Sequence, residues 1–193
     1  MHVTTLPPAA AEVLDFWFGD ADVARAEWFR KAPAFDAAIH QRFGGLIGRA
    51  LAGGIDDWAV TPEGALARIV VLDQFPRNAF RDTPRAFAGD RQALAAARAL
   101  VDAGADGRLP PRRRSFAYLP FEHAEDRAAQ QTSVDLFAAL AAERPDLAEA
   151  LDWARRHQAV IERFGRFPHR NLVLGRIDSP EEAAFLREPG SRF

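Results

Sequence analysis

The sequence contains no cysteine, and that one absence removes disulfides, thiolate metal ligands and cysteine nucleophiles together. Any metal would have to be held by histidines and carboxylates. Long apolar runs are missing too: nothing approaches the roughly 20 residues that span a bilayer as a helix. The opening Met1 to Pro8 lacks the basic start and apolar core of a secretion leader. The expected address is therefore the cytoplasm, with no membrane partner. Charge of one sign is not in excess. With 25 basic and 27 acidic residues the net charge is -2, which offers nucleic acid no positive field. Lysine is almost absent, Lys31 being the only one, so the basic chemistry of the chain is arginine chemistry. There is no glycine-rich phosphate loop, no Gly-x-Ser-x-Gly elbow, no His-Glu-x-x-His and no kinase signature, and no serine stands beside a base in sequence. No motif calls for a cofactor.

What is present is the composition of a folded domain. In 193 residues, 48% hydrophobic and 27% charged, fifteen Phe and four Trp supply much of one core. Helix signals dominate. Pro7 and Pro8 open Ala9 to Phe18, and Gly19 closes it. Between Pro33 and Leu51 apolar residues fall at Phe35, Ile39, Phe43, Leu46, Ile47, Ala50 and Leu51, a stripe of helical period ended by Gly53 and Gly54. Thr61, Pro62 and Glu63 read as a cap and first turn of a helix through Leu72 that is apolar nearly all round and so central. Thr83 and Pro84 repeat that start before Ala86 to Ala103. A loop is expected from Gly104 to Arg114, with Arg112 to Arg114 as its solvated face. Thr132 to Asp135 and Ser179 to Glu182 both resemble capping boxes. A further helical pattern runs from Pro145 to about Phe164. Strand signals are thin. These signals predict an all-α fold, one compact helical domain over residues 1–193.

Three polar segments stand out. In Asp73-Gln74-Phe75-Pro76-Arg77-Asn78, Pro76 removes a backbone donor where the most apolar helix runs out, so the helix should end or kink there. Arg77 and Asn78 then either bind an anion or satisfy free groups at that helix end. In Pro120 to Arg127, a helix would put His123 and Asp126 on one face, with Glu122, Arg127 and Gln130 nearby. That spacing suits either a carboxylate-oriented histidine or acidic residues at a helix N-terminus; too few ligands converge in sequence for a metal site. Arg163 to Asn171 echoes the first segment, Phe75-Pro76-Arg77-Asn78 recurring as Phe167-Pro168-His169-Arg170-Asn171 with one residue inserted. Gly165 there suits a left-handed helix end. His157, on an apolar stripe, reads as a satisfied core histidine.

The chain resembles the uncharacterised bacterial family labelled domain of unknown function 924. The likeness rests on Val13-Leu14-Asp15-Phe16-Trp17-Phe18-Gly19, Trp28-Phe29, Thr61 to Leu66, Leu72 to Asn78, Pro84-Arg85-Ala86-Phe87, Tyr118 to Asp126, Arg163 to Asn171 and Pro189-Gly190-Ser191. The resemblance implies a tetratricopeptide-like, antiparallel all-helical packing and supplies no activity.

Two functional expectations follow, from different classes. The first is a binding protein whose cleft holds a small anionic molecule or an acidic peptide group through Arg77, Arg127, Arg166 and Arg170 with Asn78 and Asn171, beside Asp73, Gln74 and Glu122. The second is a hydrolase-type enzyme in which His123 or His169 is the base near Glu122 or Asp126. A protein-interaction scaffold is the third, bland alternative.

Overall fold

The computed structural model describes residues 5–19 and 23–191 and is all-helical. Residues 1–4, part of the opening stretch on which the expectation about a secretion leader rests, lie outside the described residues. The α-helices are α1 (Pro8–Phe18), α2 (Pro33–Leu51), α3 (Pro62–Ile69), α4 (Phe75–Ala79), α5 (Asp90–Asp102), α6 (Pro111–Glu122), α7 (Arg127–Glu143), α8 (Ala148–Phe164) and α9 (Pro180–Phe185). Proline stands at the start of six of them: α1, α2, α3, α4, α6 and α9. Thr61 caps α3, accepting from the Gly64 amide, and Ser179 with Glu182 forms the full capping box of α9. Gly165 ends α8 at φ 72°, a backbone only glycine adopts freely.

The core is built on aromatic rings. Phe16 and Trp17 of α1 pack against Phe35 and Phe43 of α2, Phe75 of α4 and Phe116 of α6, with Trp28 closing the group. Each offset or edge-on pair adds about 0.5–1.5 kcal/mol beyond its buried area. Helix α3 is the hub, buried at Ala65, Leu66, Ala67 and Ile69, as its all-round apolar pattern requires. Helices α7 and α8 pack along each other through the short link 144–147.

Pro76 neither ends nor simply kinks the central helix. The chain widens into one π-helical turn over Val70–Gln74, in which the Phe75 amide donates to the Val70 carbonyl five residues back, and α4 follows without a break. The wider turn absorbs a residue that has no amide and whose ring would crowd the Leu72 carbonyl. That carbonyl meets Gly89 instead: a Cβ at position 89 would sit 2.1 Å from the Leu72 oxygen. With this close approach at Gly89, the helix expected over Ala86 to Ala103 starts late. Pro84–Phe87 forms a short 3-10 turn, Thr83 donates to the Phe80 carbonyl rather than capping, and α5 begins only after Gly89.

Three other expectations are corrected. Thr132 and Asp135 lie inside α7, whose cap is Asp126, accepting from the Ala129 amide; Thr132 bonds back to the Ala128 carbonyl. The expected loop to Arg114 ends at Pro110. Arg112 and Arg114 sit in the first turn of α6 and pair with Asp146 and Glu143, because the end of α7 and the link to α8 bring those acids alongside. Finally, Pro120 to Arg127 is not one helix, since α6 stops at Glu122 and α7 starts at Arg127.

Candidate functional site

The π-helical turn carries Asp73 into the interior. Its side chain is 0% exposed and faces the C-terminal end of α6, where His123 is the first residue past the helix. Nδ1 of His123 lies 2.8 and 3.0 Å from the two oxygens of Asp73. Gln74 donates to the same carboxylate at 2.6 Å, and Arg77 Nη1 stands 3.0 Å from it, one helical turn on. Burial would raise the Asp73 carboxyl, but the Arg77 guanidinium and His123 outweigh it and hold the acid well below the ordinary carboxylate range. Burial and Arg77 push the His123 imidazole down, against the pull of Asp73, so the ring is neutral at pH 7. An ionised Asp73 can only accept; Nδ1 must therefore carry the proton, and the lone pair falls on Nε2. Among the described residues Nε2 has no hydrogen bond.

The end of α6 is held in place by Gln130 of α7, which is wholly buried and donates to the carbonyls of Glu122 at 2.6 Å and Ala124 at 2.8 Å. These are groups a helix end leaves without partners, so one side-chain amide fixes the backbone on both sides of His123. Behind the ring, Glu122 stands 3.3 Å from Nδ1 of His157, which itself bonds the Trp153 carbonyl at 2.9 Å. Burial, with the Asp73 charge adding to it, pushes the Glu122 carboxyl up to about 8, leaving it a neutral acid at pH 7. Burial takes His157 down to about 3, and burial with Arg170 does the same to His169.

Asp90, at the first position of α5, joins the two echoed segments. Its Oδ1 is 2.8 Å from Arg77 and its Oδ2 is 3.2 Å from Arg170. Arg170 also donates to the His123 carbonyl at 3.0 Å and lies between the rings of Phe87 and Phe167. Burial and the neighbouring Arg77 lower its guanidinium to about 10, still charged at pH 7. Outside this network lies an open groove of about 400 Å³ between α5 and the turn from α6 to α7, walled in part by Phe87, Asp90, His123, Glu125 and Arg170. A smaller depression of about 190 Å³ lies over α1 and α2, remote from these groups.

A family model described as "Bacterial protein of unknown function (DUF924)" matches residues 13–190. The chain belongs to the DUF924 family. It is also similar to a solved structure of a protein of unknown function, ATU0120 from Agrobacterium tumefaciens, with 40% identity, 93% of this chain and 97% of that one covered, and a TM-score of 0.85. No curated protein matches the sequence.

On this DUF924 chain, five of the residues singled out from sequence come together: Asp73, Gln74, Arg77, His123 and Arg170. Glu122 lies behind them, buried, and His169 is half-buried. The others go elsewhere. Asn78 donates to Asp36, which Arg81 also holds. Arg127 donates to the Glu162 carbonyl, Arg166 to Glu182, and Asn171 to Asp178. Asp126 lines the groove, but as the cap of α7 and not as the partner of His123, because the chain leaves α6 before reaching it. Sequence reasoning passed over Asp90, whose only local signal is an acid at a helix start, and Glu125, which accepts from Arg176 and from the Phe167 amide. Among the described residues no three His, Asp or Glu side chains gather as a metal site would require, and no helix is long and apolar enough to cross a membrane.

Proposed function

We propose that this protein is a hydrolase-type enzyme in which His123 is the general base and the groove beside it holds a small substrate. One observation carries the reading: His123 Nδ1 is within 3.0 Å of both oxygens of a wholly buried, ionised carboxylate, while the ring stands at the wall of an open groove. Asp73 fixes the tautomer and steadies the imidazolium that forms when Nε2 takes a proton from water. Arg77 keeps Asp73 ionised, and Gln130 fixes the backbone around the histidine. The tetratricopeptide-like packing and cytoplasmic address expected from sequence are kept as parts of this proposal.

A binding role resting on the arginines has less support, because Arg77 Nη1 is engaged by Asp73 and Asp90 while its Nη2 is buried away from the groove, and both terminal nitrogens of Arg170 are engaged by Asp90 and the His123 carbonyl. The scaffold reading rests on Leu172 and Ile177, exposed five residues apart, and isolated apolar side chains are normal at protein surfaces.

The test is a panel of ester, amide and phosphoester substrates assayed with the wild type, His123→Gln and Asp73→Asn. Loss of the base should lower turnover by about 10²–10⁴-fold while substrate affinity holds. Turnover should rise with pH as His123 loses its proton below 6.5 and then level off. Undiminished turnover in His123→Gln would sink the proposal.

A further inference from the structure

The groove has a charge pattern of its own. Three carboxylates line it, and each is already engaged within the protein. Asp90 is held by Arg77 and Arg170. Glu125 takes two bonds from Arg176, at 2.7 and 2.9 Å. Asp126 caps α7 and lies 3.6 Å from Arg98. Against these, Arg91 lines the same groove, is exposed, and makes no ion pair among the described residues. Arg170, only 6% exposed, lines it as well and keeps its Nε without a hydrogen-bond partner. The paired groups cancel, and one positive charge with unused N–H donors is left over. The remaining wall is apolar: Pro84, Phe87, Leu94 and Leu174.

We propose that the groove takes a small amphipathic monocarboxylate, its carboxylate met by the paired donors of the exposed Arg91, with the buried Arg170 adding its charge from the wall, and its hydrocarbon part lying along Phe87, Leu94 and Leu174. A guanidinium presents paired donors that match a carboxylate. One surplus charge fits a monoanion; a dianion would sit against Asp90, Glu125 and Asp126 with half its charge unmet. The length of apolar wall beside the cations asks for a tail, which inorganic anions lack. The inference rests on the reading of this groove as the substrate site and names the anchoring groups of that substrate, which carries in addition the ester, amide or phosphoester bond that water activated by His123 would cleave; the simple carboxylates test the anchoring alone.

Calorimetric titration of the full chain with acetate, butyrate, hexanoate and octanoate tests it, with octylammonium and octanol as probes of charge. Affinity should rise along the series by up to about fourfold per methylene, the value for complete burial. Octanol and octylammonium should bind at least tenfold more weakly than octanoate. Arg91→Gln, at an exposed position that leaves the fold intact, should weaken octanoate about fivefold. Leu94→Asp should weaken it further, and Arg155→Gln, on the remote face of α8, should change nothing. Equal affinity for octanol and octanoate, or an unaltered Arg91→Gln, would overturn the assignment. His123→Gln separates the two readings: octanoate affinity should survive there while turnover is lost. Retained turnover in that variant defeats the base and leaves the ligand class standing.

Discussion

The segments Phe75-Pro76-Arg77-Asn78 and Phe167-Pro168-His169-Arg170-Asn171 share a spelling and reach it by different backbones. In both, the phenylalanine is 0% exposed and anchors the segment in the interior. The first follows a π-helical turn and continues as α4, while in the second Pro168–Arg170 is an isolated 3-10 turn after α8 has ended at Gly165. Despite this, Arg77 and Arg170 arrive on the two oxygens of one carboxylate, Asp90. The asparagines part company, Asn78 turning to Asp36 and Asn171 to Asp178. A repeated motif therefore marked one shared element, the arginine, and for the asparagine it marked only a common need to bind a carboxylate near a helix end. The inserted residue is His169, which has no counterpart in the first segment.

Breaking the shared element should have the largest effect. Arg77→Ala strips a partner from both Asp73 and Asp90, and Arg170→Ala removes one from Asp90 and from the His123 carbonyl. Losing one member of a buried ion pair costs about 3–5 kcal/mol, and Arg77→Ala should stand at the upper end because it leaves two carboxylates short. Urea unfolding of each single variant and of the pair Arg77→Ala with Asp90→Ala checks this. The double variant should fall short of the sum of its parts by about 1–3 kcal/mol. Strict additivity would mean that Arg77 and Asp90 do not stabilise the fold as a pair.

The next prediction concerns the group that only the first segment's neighbourhood contains. The Glu122 carboxyl is raised from its ordinary 4.5 to about 8 by burial and by Asp73. Between those values the unfolded chain has released the proton and the folded chain has not. Stability should therefore decline as pH rises from about 4.5 to 8, by on the order of 5 kcal/mol, and Glu122→Gln should flatten that decline. His169 acts in the opposite direction. Held near 3 by burial and Arg170, it should make stability climb with pH from about 3 to 6.5, because there the unfolded chain is the one that binds protons. Thermal unfolding over pH 3 to 9 on wild type, Glu122→Gln and His169→Asn separates the two arms.

Much of the fold was legible because helix starts are local. Proline at the first position, a Thr or Ser cap and the α2 stripe each describe a few neighbouring residues, and the structure follows them. The failures have a common cause, which is contact between distant positions. Ala86 to Ala103 carries a continuous helical signal, and α5 begins only after Gly89, where the chain approaches the Leu72 carbonyl. His123 pairs with Asp73, 50 residues away, and not with Asp126, three residues on, so the true partner had no spacing to betray it. The arginines of the site were legible through their echo. Their common partner Asp90 was not, because an acid at a helix start needs no explanation beyond the helix dipole.

That late start of α5 is itself open to test. In Gly89→Ala the new methyl meets the Leu72 oxygen 2.1 Å away, so α5 must retreat from the π-helical turn. Backbone cannot swing aside as a flexible side chain does, and about 1–3 kcal/mol should be lost in thermal or urea unfolding. Because α5 begins with Asp90, the retreat also loosens its hold on Arg77, and the coupling in the Arg77 and Asp90 cycle should shrink in this background. A Gly89→Ala protein of wild-type stability would show that the close approach does not set where α5 begins.

The smallest effects are expected at the asparagines, where the two segments differ. Asn78→Ala removes a 2.9 Å bond to Asp36, but Arg81 still holds that carboxylate with two bonds of its own. Asn171→Ala removes a 2.7 Å bond to Asp178, which is exposed and can turn to water. In neither case is a buried charge abandoned, so each should cost about 1 kcal/mol, the ordinary net value of one hydrogen bond. The acceptors are different residues with no partner in common, so the double variant should equal the sum within about 0.5 kcal/mol. The asparagine pair thus serves as the internal control for the Arg77 and Asp90 pair: additive where the two side chains share no partner, coupled where they are partners of each other. Coupling between the asparagines above that margin would mean that the segments communicate through their backbones, and the coupling measured for Arg77 could then no longer be assigned to Asp90.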